Sequence, residues 1–452
     1  MELNLRSLKS IINNEAKEYA LYTVEERAIP NLIDGFKPVQ RFIIYRALEK
    51  AKGDKSKYHK LAGLSGGVAE IGYHHGEGSA AEAGKLMANN WNNNVPFLDG
   101  RGAFGSRLIQ KGGAARYVFC RISQNFFDLY KDLNISPEHP DVEHIPPKFY
   151  LPIIPTVLLN GVKGIATGYA TNILPHSLKS VVECTKLAID GKLDKEPEVQ
   201  FPQFNGKIIP TESGVELQGT YELKGKTQLL ITEVPYKWER EAYTTKILDE
   251  LVNQGKISDY DDLSGEDETT GQVKFRFKIT IKKDFNLKTD PEERHEQIIK
   301  EFGLSQKIGQ FFTVIDDQGK IRDDFTKASE LIKYFVEIRK PFYQKRIDIK
   351  ISESEYLYDY AKAKVDFIKM VLDKTIVLSG KSRKDALAAI EQFDNLKPFS
   401  DKLISMNLYH MTKDEIKKLE QAAKEYKKEY EYWKTTDIET EYKKDIDSIN
   451  IN

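Results

Sequence analysis

The sequence predicts an α+β protein of several domains, on three observations. Residues 1 to about 150 mix short helical patterns with glycine-rich turns. Residues from about 151 to 320 are rich in strand patterns, the clearest at 272–283. From about 321 onward, long helical patterns keep an apolar seam that steps by three and four residues. A chain of 452 residues accommodates roughly two to four domains, so three textures suit its length.

In the first region, "KPVQRFIIYRALEK" (37–50) sets a proline at an early helical position and spaces Val39, Phe42, Ile43 and Arg46 as one helix would. "KLAGLSGGVAEIGYHHGEGSAAEAGKLMANN" (60–90) reads as a helix, a turn at Gly76–Gly78 and a second helix lined with Ser79, Ala80, Ala81, Ala83 and Gly84. Such a pair suits a helix-turn-helix whose second helix sits close in a DNA groove. The same small residues also suit ordinary helix packing.

In the middle region, "QVKFRFKITIKK" (272–283) alternates Val273, Phe275, Phe277, Ile279 and Ile281 with Lys274, Arg276, Lys278 and Lys282, a strand with a basic outer side. "TQLLITEVPYKW" (227–238) reads as a second strand and "TTKILDELVNQGK" as a helix, giving a mixed α/β domain.

In the last region, Ile347, Ile351, Ser354, Tyr358, Ala361, Val365, Ile368 and Leu372 form one seam. Ile416, Leu419, Ala423, Tyr426, Tyr430 and Trp433 form another. Both have coiled-coil spacing. The compact apolar stretch between them predicts an antiparallel two-helix arm with a small globular tip.

Hydrophobic residues make up 40% and charged residues 30%, a balance that suits extensive exposed helix. No apolar run approaches the roughly 20 residues that cross a bilayer. The opening "MELNLRSLKSIINNEAKEYA" has no signal-peptide core. The two cysteines, Cys120 and Cys184, form no CxxC, so neither a disulfide framework nor a zinc ribbon is expected. These features predict a cytoplasmic protein with no membrane partner.

Net charge is −1, which by itself argues against nucleic-acid binding. The local distribution argues the other way. Between Arg27 and Lys60 there are nine Lys/Arg against three Asp/Glu, the footprint of a phosphate-binding face or of a solvated surface.

Reactive signatures are few. There is no nucleophile elbow and no GxxxxGK[ST] phosphate loop. "YHHGE" brings His74, His75 and Glu77 together, but adjacent histidines point apart and no third ligand follows at a metal spacing. The pairs Asp259/Asp261 and Asp445/Asp447 lie in polar stretches that read as solvated, so no metal centre is expected. In "IQKGGAARYVFCRI" (109–122), Gly112, Gly113, Ala114 and Ala115 deliver Arg116 beside Tyr117. Small residues permit close backbone approach and arginine partners phosphate. Spacing alone does not single out one tyrosine among 23.

Five stretches carry more than composition. They are "RAIPNLIDGFKPVQR" (27–41), "AEIGYHHGE" (69–77), "GRGAFGSR" with "AARYVF" (100–107 and 114–119), "NGVKGIATGYATNILPHSL" (160–178) and "LISMNLYHMTKDEIKKLEQ" (403–421). Together and in this order they resemble the breakage-reunion part of type II DNA topoisomerases. "YHHGE" is similar to the eukaryotic members, where bacterial ones have Y-H-P-H-G-D.

The resemblance implies a fold and a chemistry. It implies an N-terminal arm and winged-helix domain over 1–150, an α/β tower domain over 151–320, and a coiled-coil arm over 321–452 with a helical gate globule at about 373–411. Tyr117 takes the position of the family's nucleophile, which forms a 5′-phosphotyrosyl link in each strand of a transient double-strand break. Arg116 would neutralise the reacting phosphate, and His75 would bond it or move the tyrosine proton. Arg27, Lys37, Arg41 and, more weakly, His74 match DNA contacts, and Ile173 is taken as the residue inserted between base pairs. Met406 and Leu408 would meet at an opening gate.

Magnesium and ATP are expected on a partner ATPase and metal-binding subunit, since this chain lacks the matching acidic cluster. Double-stranded DNA and a second copy of the chain complete the expected partners, as a homodimer within a hetero-oligomer. Phe42 stands where bacterial members of the family carry a second arginine, and no carboxyl-terminal DNA-wrapping domain is expected after Asp447. ATP-dependent relaxation and decatenation are therefore expected rather than supercoiling. The competing reading is a non-catalytic, dimeric winged-helix DNA-bending protein. A tyrosine recombinase would form the opposite, 3′-phosphotyrosyl bond.

Overall fold

A computed structural model of the protein describes residues 7–267, 272–406 and 413–451. Its contacts divide the chain into two compact units, 1–339 with 445–452, and 340–444.

The first unit opens with a helical segment that includes α1 (Lys17–Thr23) and ends in a π-helical turn, Val24–Ala28. The stretch 37–50 forms α2 (Pro38–Ala51), started by proline and by the Lys37 N–H donating to Gln40 Oε1 at 2.9 Å. It buries Phe42, Ile43, Ile44 and Ala47.

Strand β1 (His59–Lys60) leads into α3 (Leu61–Gly66) and then α4 (Glu77–Ala88). The second helix begins at Glu77 with Gly76 as its cap, so Gly78 lies inside it and not in the expected turn. Its small residues face inward. Ala80, Ala81, Ala83 and Gly84 are buried, and a Cβ on Gly84 would stand 2.6 Å from Leu61 Cδ1. Helix packing therefore accounts for them, and Gly78, Ser79 and Glu82 form the solvent face instead. Strands β2 (Leu98–Arg101) and β3 (Phe119–Ile122) join β1 in an antiparallel sheet of order β1-β3-β2.

A hairpin follows, β4 (Val162–Ile165) with β5 (Ala170–Ile173), and then the amphipathic α5 (Leu178–Ile189). Two antiparallel sheets are built next. Strands β6 (Lys207–Thr211) and β7 (Gly214–Gln218) pair with the later β12 (Ser305–Gly309) in the order β12-β7-β6. Strands β8 (Thr220–Lys224), β9 (Gln228–Glu233), β10 (Ile257–Asp262) and β11 (Phe277–Ile281) run in the order β8-β9-β11-β10. The alternation at 272–283 holds, since Val273, Phe275, Phe277, Ile279 and Ile281 are all buried in one core with Ile298, Ile299 and Phe302 of α6 (Pro291–Glu301) and its end.

The outer side is not a free basic face. Strand β10 sets Asp261 opposite Lys278, 3.7 Å from its Nζ, and Asp267 takes Lys274 at 2.9 Å. The acids come from sequence outside 272–283 and offset two of the four outward cations, Lys274 and Lys278, while Arg276 and Lys282 stay exposed.

The helix α7 (Ala328–Leu372) runs on into the second unit, which also holds α8 (Arg383–Ile390), α9 (Lys413–Thr435) and most of α10 (Ile438–Asp447). Tyr430 donates to Glu355 at 2.6 Å, and Lys369 to Glu420 at 2.7 Å. Later residues of α7 thus meet earlier ones of α9, and the two helices are antiparallel. Ile347, Ser354, Ala361, Val365 and Ile368 are buried along the predicted seam, while Leu372 at its end is exposed. Phe367, Ile376, Ile390, Leu396, Phe399 and Leu403 build a small core, and Met406 packs against it. Leu408 lies outside the described residues.

Candidate functional site

The tyrosine singled out in the sequence stands on a loop pinned on both sides. Gly113 N–H donates to the Ala103 carbonyl at 2.8 Å, and Ala62 and Leu61 N–H groups donate to the carbonyls of Ala115 and Val118 at 3.1 and 3.0 Å. A Cβ on Gly112 would stand 3.2 Å from the Phe104 carbonyl carbon, so the glycines let two backbones lie against each other. Val118 is buried beneath the loop, and Tyr117 points outward, 67% exposed. The Arg116 guanidinium covers its ring, Cζ 4.7 Å from the centroid. Among the described residues the Tyr117 hydroxyl has no hydrogen-bond partner.

The loop's foundation is Arg107, the last residue of "GRGAFGSR". It is 1% exposed, donates to Glu233 Oε1 at 2.9 Å and to the carbonyls of Val234 and Gln203, and lies within 5.5 Å of the Phe204, Tyr236 and Phe275 ring centres. The next residue, Leu108, joins the core of the four-stranded sheet. The motif arginine thus ties the tyrosine loop to the strand-rich part of the unit.

His75 is fixed by residues from the amino-terminal helical segment. Arg27 Nη2 lies 3.1 Å from Nδ1, and the Tyr22 hydroxyl 2.9 Å from Nε2. Partial burial, then Arg27, then His74 lower the imidazole pKa, so the neutral ring is favoured. The turn before it is tight. Gly72 has φ +99°, and a Cβ there would stand 2.1 Å from the Glu143 carbonyl oxygen. His74 is exposed, with its Nε2 3.6 Å from Glu143 Oε2. Neither Tyr117 nor Arg116 hydrogen-bonds to His75 among the described residues.

Of the other predicted contacts, Arg27 is exposed and Lys37 half-buried. Lys37 Nζ donates to the Lys163 carbonyl at 2.8 Å, and burial lowers its pKa. Arg27, Lys37, Gln40, Ser79, Asn160 and Lys163 line one cavity of about 450 Å³. Arg41 does not join them. Its Nε is 2.7 Å from Asp34 Oδ2 and its Nη2 is 3.1 Å from Oδ1, and both residues are buried. A guanidinium so engaged is a structural brace rather than a DNA contact.

Ile173 does not fit the wedge position the resemblance implies. It is 2% exposed, at the base of the β4–β5 hairpin opposite Val162, too buried to be inserted between base pairs. The exposed isoleucine of that hairpin is Ile165, at 78%, beside the turn that Gly168 makes with φ +84°. The signal was available, since the residue next to a glycine turn is the one a hairpin presents at its tip. Asp34 could have been found as the acid nearest Arg41 in the same motif. Nothing marked Tyr22 among the tyrosines.

No three His, Cys, Asp or Glu side chains among the described residues converge as a metal cage. The acidic pairs noted in the sequence are engaged elsewhere. Asp261 faces Lys278, and Asp447 lies 2.5 Å from Lys186 Nζ. No helix among the described residues is long and apolar enough to cross a membrane.

Comparison with known proteins identifies the family. The family described as the A subunit of DNA gyrase/topoisomerase IV matches residues 27–449. The chain is 54% identical over 449 residues to the DNA topoisomerase medium subunit of Enterobacteria phage T4, covering 99% of this chain and 100% of that protein. It is 27% identical to the mitochondrial DNA topoisomerase 2 of Dictyostelium discoideum over 97% of its own length but 34% of that protein's. The crystal structure of the DNA-binding, cleavage and re-ligation domain of Plasmodium falciparum topoisomerase II superposes with a TM-score of 0.81, at 26% identity, over 97% of this chain and 63% of that one. The α+β fold described above is thus that of a topoisomerase II cleavage region, and the chain belongs to the DNA gyrase/topoisomerase IV family of A subunits.

Proposed function

We propose that this chain is the DNA-cleaving and religating subunit of a type II topoisomerase, with Tyr117 as its nucleophile. The observation that carries this is the exposed Tyr117 hydroxyl, without a hydrogen-bond partner among the described residues, beside the Arg116 guanidinium on a loop braced from beneath by Val118 and Arg107. Attack of the phenol oxygen on a backbone phosphorus forms a P–O–Tyr bond on the 5′ side. It breaks the bond to the 3′ oxygen, which takes up a proton, and the tyrosine gives its own proton away. Religation is the reverse attack by the 3′ hydroxyl, so the cycle stores the bond instead of hydrolysing it. Arg116 offsets charge on the non-bridging oxygens.

In this reading α2–α4 and the β1-β3-β2 sheet act as a winged-helix domain with the amino-terminal arm, over 1–150. The strand-rich region 151–320 acts as the tower. Residues 321–452 act as a coiled-coil arm with a gate globule at about 373–411. Arg27, Lys37 and Lys163 line the DNA backbone's bed, and Ile165 takes the wedge role first assigned to Ile173. Because one tyrosine cuts one strand, two copies act about a twofold axis.

The described carboxylates do not gather into a metal cage. A partner subunit is therefore proposed to bring the divalent ion and to bind ATP, with the assembly acting in the host cell cytoplasm. The test is a relaxation assay of supercoiled DNA with the candidate ATPase subunit. Relaxation needing both chains and ATP supports the proposal. DNA bending by this chain alone, with no topological change in any mixture, would favour the DNA-shaping alternative.

A further inference from the structure

Tyr22 has no part in the mechanism above, yet it holds one side of His75. A guanidinium only donates hydrogen bonds, so His75 Nδ1, 3.1 Å from Arg27 Nη2, must accept. The neutral ring then carries its proton on Nε2 and donates it to the Tyr22 oxygen, 2.9 Å away. The phenol's own proton is left over. Among the described residues it has no acceptor, and Tyr22 is 38% exposed. Arg27 also lies beside that ring, Cζ 5.9 Å from its centroid. The result is a directional chain of donors, guanidinium to imidazole to phenol, in which each link polarises the next. Its free end is the Tyr22 O–H.

Resting on the Tyr117 reading and on the resemblance's placing of His75 at the reacting phosphate, we infer that the Tyr22 hydroxyl, and not the His75 ring itself, is the donor that meets a non-bridging oxygen of the scissile phosphate. His75 and Arg27 then act through Tyr22, aiming and polarising it. A ring whose two nitrogens are both engaged has no further N–H to offer, whereas the phenol has one unused proton pointing to solvent. Tyr22 lies in α1, so the amino-terminal helical segment becomes a working part of the site.

The test uses this chain with its metal- and ATP-binding partner and a duplex holding one preferred cleavage site. Detergent-trapped covalent adduct is measured with an ordinary scissile phosphate and with each phosphorothioate stereoisomer. Tyr22→Phe is expected to slow adduct formation by about tenfold to a hundredfold, the scale of a lost oxyanion donor, with DNA affinity unchanged within about threefold. In the unsubstituted protein one stereoisomer is expected to be penalised, and Tyr22→Phe removes that penalty, which a merely structural tyrosine would not do. Cleavage by Tyr22→Phe at the original rate, or with the penalty intact, overturns the inference. Faster cleavage also overturns it, since Tyr22 would then be competing with the phosphate for His75. If the unsubstituted protein forms no adduct, the Tyr117 reading fails first and this inference with it.

Discussion

Arg107 and Glu233 form a buried ion pair, 2.9 Å between Nη1 and Oε1, with side chains 2% and 4% exposed. It joins the loop that carries Tyr117 to the end of β9, an inner strand of the four-stranded sheet. Removing one partner leaves a buried charge uncompensated. Arg107→Ala is expected to destabilise the protein by about 3–5 kcal/mol in urea unfolding. A loss below about 1 kcal/mol would mean that the pair does not hold the loop's base.

Arg41 and Arg27 were alike in the sequence and differ in the structure. Arg41→Ala breaks the buried pair with Asp34 and is expected to lower stability by about 3–5 kcal/mol. Arg27→Ala should barely move the melting temperature. It should weaken DNA binding and reduce the slope of log affinity against log salt by about one. Equal melting temperatures with equal salt slopes for the two variants would contradict this assignment.

The two hairpin isoleucines separate in the same way. Ile173→Ala removes a buried side chain and is expected to cost about 2–5 kcal/mol of stability. Ile165→Ala, at an exposed tip, should stay within about 0.5 kcal/mol yet reduce DNA bending, read by energy transfer between the ends of a labelled duplex. An unchanged bend in Ile165→Ala removes its wedge role.

Burial lowers the pKa of His176 and of His144 from 6.5 to about 4 each. Between those values the unfolded chain binds more protons than the folded one, so stability falls as pH drops from about 6.5 to about 4. For His176, which is 1% exposed, the loss approaches about 3 kcal/mol. His144 lies within 4.0 Å of the His139 ring and adds a smaller loss in the same direction. Chemical unfolding across that range tests this. A flat profile from pH 6.5 to 4 would show that neither ring is held neutral.

Periodicity made part of this molecule legible. Alternation at 272–283 and the seam through Ile347, Ser354, Ala361 and Ile368 translate directly into buried faces, because each depends on residues close in sequence. What periodicity could not give was long-range pairing. Asp261 of β10, which offsets Lys278, and the Glu143 carbonyl, which sits over Gly72, come from other segments. Within the site, the motif residues of the family were visible, but a motif does not say which basic residue is exposed. Arg41 and Ile173 were misread for that reason. Tyr22 gave no signal at all, since its role exists only once the amino-terminal segment folds against His75.

The chemistry of Tyr117 is tested most directly by the polarity of the trapped protein–DNA adduct. With the partner subunit present, the adduct is expected to block an exonuclease that digests from 5′ ends and to leave 3′ ends open. It should vanish in Tyr117→Phe. An adduct that blocks digestion from 3′ ends, or one that persists in Tyr117→Phe, would contradict the assignment.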